Sequence, residues 1–316
     1  MRDSGGAAWP DLAFGSLAPT VEVLHLVAQI VGKVRMGLTP WVNHSWHVPL
    51  YVSARGLATG WIPADGGALD MEIDLFRGAL VVRSAEGSEV SVDLRCETVA
   101  RIYAETMAAL ARLGVVIQID ETPCEIPGAI PFPRDLRPRA FDGEAARTYW
   151  RALLQAQRVF QRFRTGFVGK CSPVHLFWGS FDLAVTRFSG RPAPPHPGGA
   201  EHMPDAVARD GYFQELASAG FWPGAGADLG PAFYAYAYPV PPGYAGAAVA
   251  PAAASFSPAL GEYLLPYAAV QAAADPDAEL MAFLESTYRA AADLAAWDRE
   301  SLERAEGPIG HPPESV

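Results

Sequence analysis

Lysine is nearly absent from this chain. Of its 24 basic residues in 316, 22 are arginine and two are lysine, Lys33 and Lys170. Positive charge as a whole is scarce. The net charge of −11 would repel nucleic-acid phosphates and an anionic bilayer surface, so neither a nucleic-acid nor a membrane partner is expected. Cysteine is also sparse: Cys96, Cys124 and Cys171, with no CxxC spacing. An odd, scattered set of thiols excludes a disulfide framework and fits a reducing, cytoplasmic setting. Long apolar runs are missing too. The stretch Val21 to Val34 is broken by Glu22, His25, Gln29 and Lys33, short of the ~18 uninterrupted apolar residues that mark a membrane span. No basic, apolar and cleavage pattern of a signal peptide opens the chain.

Half the residues are hydrophobic, enough for one large domain or two of ordinary size. Both lysines follow Val-Gly, in "IVGKVRMGL" (30–38) and "FVGKCSPVHLFWGS" (167–180). Superposing them reveals a repeat. Trp46 and Arg55 are nine apart, as are Trp178 and Arg187. A helix pattern precedes each lysine: residues 20–36 with Leu24, Val27, Ile30, Val31 and Val34, and residues 143–167 with Trp150, Leu153, Phe160, Phe163 and Phe167. Asp142 is the expected N-cap of the second. Strand patterns follow: "VPLYVSA", "LDMEIDLFRGALVVRS" turning near Arg77-Gly78, and "EVSVDL" in the first half; "FDLAVTRF", "AFYAYAY" and "GEYLLPY" in the second. In "AFYAYAY", Tyr234, Tyr236 and Tyr238 face one way and Phe233, Ala235 and Ala237 the other. Helices over 97–113 and 276–297 close the halves, the latter behind Asp275-Pro276.

Strands joined by turns rather than helices predict an α+β fold. The expectation is an internal duplication: two helix–antiparallel strands–helix units about a pseudo-twofold axis, their sheets covered by helices. The halves span 9–130 and 143–300, joined by a linker at 131–142 and packed as one globular unit. Residues 189–205 form a long loop of the kind that often binds or covers a ligand, and 301–316 read as a disordered tail.

The chain carries the phrases "LHLVAQIVGKVRMGL", "VNHSWHVPLYVSARGL", "GKCSPVHLFWGSFDLAVTRFSGR", "APPHPGG", "GFWPG", "PAFYAYAYP" and "AADPDAELMAFLESTYRAAADLAAWD". In these it resembles the bacterial family of unknown function numbered 5996, and the resemblance rests on them. It covers Trp9 to Asp298 and implies no activity, cofactor or site residue.

Candidate chemistry therefore comes from the residues themselves. A lysine amine can lose its proton and attack a carbonyl, which arginine does not do, so Lys33 and Lys170 are candidate catalytic residues, with His44 and His175 as acid–base partners. At a helix C-terminus either lysine could instead simply complement the dipole. His25, Gln29 and Lys33 lie four apart, on one helical stripe, which suits a pocket wall. Arg55 and Arg187 could clamp an anionic group or pair with Asp70, Asp74 or Asp182. His196, on the long loop, and Trp178 complete the ligand-binding set, and Trp222 could also wall a pocket. His44 and His47 with His175, His196, Asp182 or Glu215 could form a metal site, but no HExxH or paired CxxC pattern exists, and no metal or cofactor is assigned. "GKCS" lacks the glycine spacing of a P-loop. Two readings follow. One is a small-molecule protein with a polar pocket for an anionic metabolite, acting as an enzyme through Lys/His acid–base or imine chemistry. The other is a non-catalytic sensing or assembly module in which the repeated Lys, Trp and Arg residues are structural. Oligomeric state is not specified by the sequence.

Overall fold

A computed structural model describes residues 8–65, 67–95, 98–224, 229–306 and 310–311. The fold is α+β, with two antiparallel six-stranded sheets and helices packed against them.

The chain opens with α1 (Phe14–Leu38), longer at its N-terminus than its apolar pattern predicts. From Leu26 to Arg35 every residue is buried. Leu24, Val27, Val31 and Val34 enter the main core, while Leu26 and Ile30 join Val99 and Phe132 in a smaller cluster. Helices apolar on several faces are core helices. By length and hydropathy α1 could cross a bilayer, yet 72% of that window is buried within the protein. The close approach that buries it depends on Gly32: a Cβ there would lie 2.1 Å from Trp178 Nε1.

The first sheet follows: β1 (Tyr51–Val52), β2 (Gly56–Ala58), β3 (Ile62–Ala64), β4 (Gly67–Asp74), β5 (Ala79–Ser84) and β6 (Glu89–Asp93), ordered β1-β2-β4-β5-β6 with β3 on β4. The β4–β5 hairpin turns where the sequence places it, with Gly78 at φ +66°. α2 (Val99–Arg112) begins at Thr98, whose side chain accepts from Arg101 N at 3.3 Å. α3 (Gly143–Thr165) begins at Asp142, which accepts from Glu144 N and Ala145 N at 2.7 and 3.1 Å.

The second sheet comprises β7 (His175–Phe177), β8 (Asp182–Pro192), β9 (Gln214–Trp222), β10 (Ala232–Tyr238), β11 (Ser255–Ser257) and β12 (Glu262–Pro266), ordered β11-β12-β10-β9-β8-β7. α4 (Asp205–Gly211) interrupts it and α5 (Tyr267–Gln271) follows it. α6 (Pro276–Leu294) starts at Asp275, which accepts from Ala278 N at 3.0 Å. Phe233, Ala235 and Ala237 are buried in the core, and Phe160 of α3 meets Phe233 edge-on. Leu50 and Leu176 exchange backbone hydrogen bonds of 2.9 and 2.7 Å, joining the edges of the two sheets.

The paired spacings of the two halves are not paired positions in space. Lys33 lies inside α1, whereas Lys170 follows the end of α3. Trp46 precedes β1 and Trp178 follows β7. Arg55 sits in the β1–β2 turn and Arg187 in the middle of β8. Helix, antiparallel strands and helix do recur in that order, but the superposition of individual residues does not hold. The loop expected at 189–205 is shorter, because β8 runs to Pro192 and α4 starts at Asp205. The tail is bound through its first residues: α7 (Arg299–Leu302) precedes Glu303, which accepts from Tyr288 Oη at 2.8 Å, and Arg304 N donates to Gly166 O at 3.2 Å. Residues 307–309 and 312–316 of that segment, and Cys96, lie outside the described residues.

Candidate functional site

The two lysines have different surroundings. Lys33 is 3% exposed; its Nζ donates to Thr122 O at 2.6 Å and lies 3.5 Å from Asp120. It ties the 120–125 segment to α1. Lys170 Nζ donates to His44 Nε2 at 2.6 Å and Gln214 Oε1 at 2.7 Å, among the rings of Trp46, Phe188 and Phe213.

The other sequence candidates also part company. His175 is fully buried on β7 and neither ring nitrogen has a hydrogen-bond partner among the described residues; burial, then the charges of Arg164 and Arg35, hold it neutral with a pKa of about 3. His47 accepts from Val42 N at 3.2 Å. His196 accepts from Gly198 N at 3.0 Å and stacks on Tyr212. Among the described residues no three His, Cys, Asp or Glu side chains are grouped to hold a metal ion.

Arg55 forms a two-bond pair with the buried Asp74, at 2.6 and 3.1 Å. Arg187, 1% exposed, stacks on Phe163 and Tyr288, donates to Phe163 O and pairs with Glu285 at 3.3 Å. Trp178 donates to Val48 O at 3.1 Å beneath α1. These three side chains hold structure in the sheet and helix layers.

A cavity of about 440 Å³ lies elsewhere, between α1, the 123–130 segment, the β7–β8 turn and the end of β9. That volume is in the range of small-ligand sites. Its apolar wall includes Leu17, Val21, Leu26, Ile126, Ile130 and Trp222. Its polar wall is built around Gly179 and Ser180. His25 lines the cavity and its Nε2 meets Gly179 O at 2.8 Å. A carbonyl only accepts, so Nε2 carries the hydrogen. Burial keeps this ring neutral despite the backbone bonds that favour the cation. Gln29, one turn on, donates to Cys124 O at 2.7 Å and accepts from Cys124 N at 3.0 Å. That pair of bonds docks the 123–130 segment on α1.

The docked segment delivers Glu125. Its carboxylate lies so close to Gly179 that a Cβ there would sit 2.0 Å from Glu125 Oε1. Ser180 Oγ donates to the other oxygen. Glu125 adopts φ +58°, an uncommon conformation for a residue with a side chain. Its backbone N donates to Glu201 O at 2.9 Å, so the 193–204 loop packs behind it. Burial pushes the Glu125 carboxyl up, and the Ser180 bond only partly opposes this. No ion-pair partner for Glu125 is found among the described residues.

Tyr149 of α3 also lines the cavity, its ring between Phe181 and Phe221 and its hydroxyl buried without a partner among the described residues. Arg137, at the rim, is engaged by Asp135 through bonds of 3.0 Å each. Behind the β7–β8 turn stands Asp182, whose carboxylate accepts from Tyr234 Oη. Burial, and next to it the charge of Glu125, raises the Asp182 carboxyl to about 7 against the Tyr234 bond. Glu262 is raised to about 7 as well, by burial and then by Asp182. Each of these acids touches solvent along a limited face while protein surrounds the rest.

Among the sequence candidates, His25 and Trp222 line this cavity; Lys33, Lys170, Arg55 and Arg187 do not. Glu125, Tyr149 and Ser180 escaped the sequence reading. The available signal was Glu125 itself, an acid set between apolar Cys124 and Ile126 in a proline-rich stretch.

The chain matches the family of unknown function DUF5996 over residues 9–304, and it belongs to that family. No curated protein and no solved structure matches it.

Proposed function

We propose that the protein binds a small molecule in the cavity walled by α1, α3 and the 123–130 segment. The ligand class is an apolar body bearing an amino or hydroxyl group. The observation that carries this reading is the Glu125 carboxyl, which lines the cavity without a cationic partner among the described residues; Tyr149, whose buried hydroxyl likewise has no partner among them, is a second lining residue. An unsatisfied buried polar group costs ~1–3 kcal/mol, and a ligand that bonds to it recovers that cost. Arg137 at the rim is already paired with Asp135, which favours an amine or alcohol over an anionic metabolite. Of the Lys/His chemistry suggested by the sequence, His25 is the part that reaches this wall. With Glu125 on the other side of Gly179, it supplies two proton-exchanging groups at one end of the cavity.

The test is a thermal-shift screen of size-matched amines, alcohols and carboxylates, on wild type, Glu125→Gln and Tyr149→Phe. Amines and alcohols should stabilise wild type, and Glu125→Gln should abolish the amine shifts. Amine binding should strengthen as pH rises through Glu125 ionisation. Hits confined to carboxylates, shifts unchanged in both variants, or an empty screen would sink the reading.

A further inference from the structure

Lys170 belongs to a second arrangement, apart from the cavity. None of Lys170, His44 and Gln214 lines that cavity. A nucleophile within hydrogen-bond reach of a base, with the base oriented by a third group, is the general signature of an activated side chain. Here Lys170 Nζ is 2.6 Å from His44 Nε2, and His44 Nδ1 is 2.8 Å from Gly211 O. Because the Gly211 carbonyl can only accept, Nδ1 carries the hydrogen and Nε2 presents its lone pair to the lysine. The imidazole is clamped flat on Phe213, ring centroids 4.5 Å apart and 13° from parallel, with Phe188 on another side.

The backbone beneath this base is strained. His44 and Ser45 adopt φ +59° and +56°, and such conformations cluster at functional positions. Among the described residues no carboxylate lies within ion-pair distance of Lys170, in contrast to Lys33 beside Asp120. Its two hydrogen-bond partners, His44 and Gln214, are both neutral acceptors. A neutral amine has two hydrogens, enough to serve both and leave its lone pair free. The rings of Trp46, Phe188 and Phe213, 4.9 to 5.4 Å from Nζ, favour the ammonium, while desolvation lowers the Lys170 pKa. His44 takes up the proton when the amine reacts. The site is open on one side, since Phe213 is 39% exposed.

We propose that Lys170 is a nucleophilic amine, activated by His44, that forms an imine with a small aldehyde or ketone. The ammonium passes a proton to His44 Nε2. The nitrogen lone pair bonds to the carbonyl carbon as the C–O π bond opens, and one of the two N–H protons passes to the oxygen. The resulting carbinolamine expels that hydroxyl as water, the second proton supplied from His44, to leave a protonated C=N. Carbonyl and amine give imine and water, with no change of oxidation state. An apolar aldehyde fits the aromatic walls.

The experiment treats the full chain with propanal and sodium cyanoborohydride at pH 7.5, which fixes any imine as a secondary amine. Peptide mapping then compares the rates at Lys170, Lys33 and the α-amino group with that of Nα-acetyllysine amide. The expected result is labelling at Lys170 at least ten-fold faster than the model amine, abolished by Lys170→Arg. His44→Asn, a substitution that tolerates positive φ, should reduce the Lys170 rate at least ten-fold with the fold intact by circular dichroism. A Lys170 rate within two-fold of the model amine overturns the proposal, as does an unchanged rate in folded His44→Asn. Should that variant fail to fold, the wild-type rate against the model amine decides alone.

Discussion

Replacing Asp182 by Asn should make the protein more stable at alkaline pH and leave it unchanged at acid pH. The side chain is held by Tyr234 Oη, whose acceptor an amide oxygen reproduces. In the native chain the carboxyl pKa rises from its ordinary 3.8 to about 7, first through burial and then through Glu125. The sign follows from proton counting. Between about pH 4 and 7 the folded state keeps a proton that the unfolded state releases, so stability falls as pH climbs through that window. About three decades of proton affinity, at ~1.4 kcal/mol each, set an upper figure of ~4 kcal/mol. Partial solvent contact reduces this to ~1–2 kcal/mol. In a chain of this size, that is a rise of roughly 2–4 °C in Tm. The assay is calorimetry of wild type and Asp182→Asn from pH 5 to 8.5. The Tm difference should open with pH and level off above about 7. A gap that stays constant across the range would refute the picture of a carboxyl that folding forces to hold its proton.

Gly32→Ala should lower stability by ~2–3 kcal/mol, read as Cm in urea at unchanged m, because its methyl would overlap the Trp178 indole. A neutral result would mean that α1 can lift off the sheet without penalty. Lys33→Arg should cost ~1–3 kcal/mol, because a guanidinium must fit a buried site shaped around a bond to Thr122 O. Lys170→Arg, at a half-open position, should cost less; the opposite ranking of the two melting temperatures would contradict the burial argument.

Much of the architecture was legible from local signals. Asp142 and Asp275 announced their helices because a carboxylate ahead of an apolar period has one strong structural use. The alternation of Tyr234, Tyr236 and Tyr238 against Phe233 and Ala235 marked the strand and its two faces, of which the Phe233 and Ala235 side enters the main core. β9 was not legible. Its Ala217, Ala219 and Gly220 carry little strand propensity, and Gly220 reads as a turn. Its reason is tertiary: the Tyr234 ring occupies the space where a Cβ would be, 2.4 Å from Tyr234 Cζ. The paired lysine contexts drew attention to two real features but joined them wrongly. Equal spacing from Trp to Arg says nothing about whether a helix has already ended, and α3 ends before Lys170 while α1 runs past Lys33. The cavity wall was hidden because His25, Glu125 and Ser180 are distant in sequence and meet only in the fold, through contacts at Gly179 and the Ser180–Glu125 bond.

The reciprocal bonds between Leu50 and Leu176 have a bearing on how the chain could be divided. Cutting between the halves and producing each alone would leave β1 and β7 with bare backbone donors and acceptors on a sheet edge. Such an edge recruits other strands indiscriminately. Separate fragments would therefore tend to self-associate, whereas fragments made together would have each other's edge as the matching template. Reassembly would then be directed by contacts across the seam, to which the 131–142 segment adds its own through buried Phe132 and the Arg139–Glu22 pair.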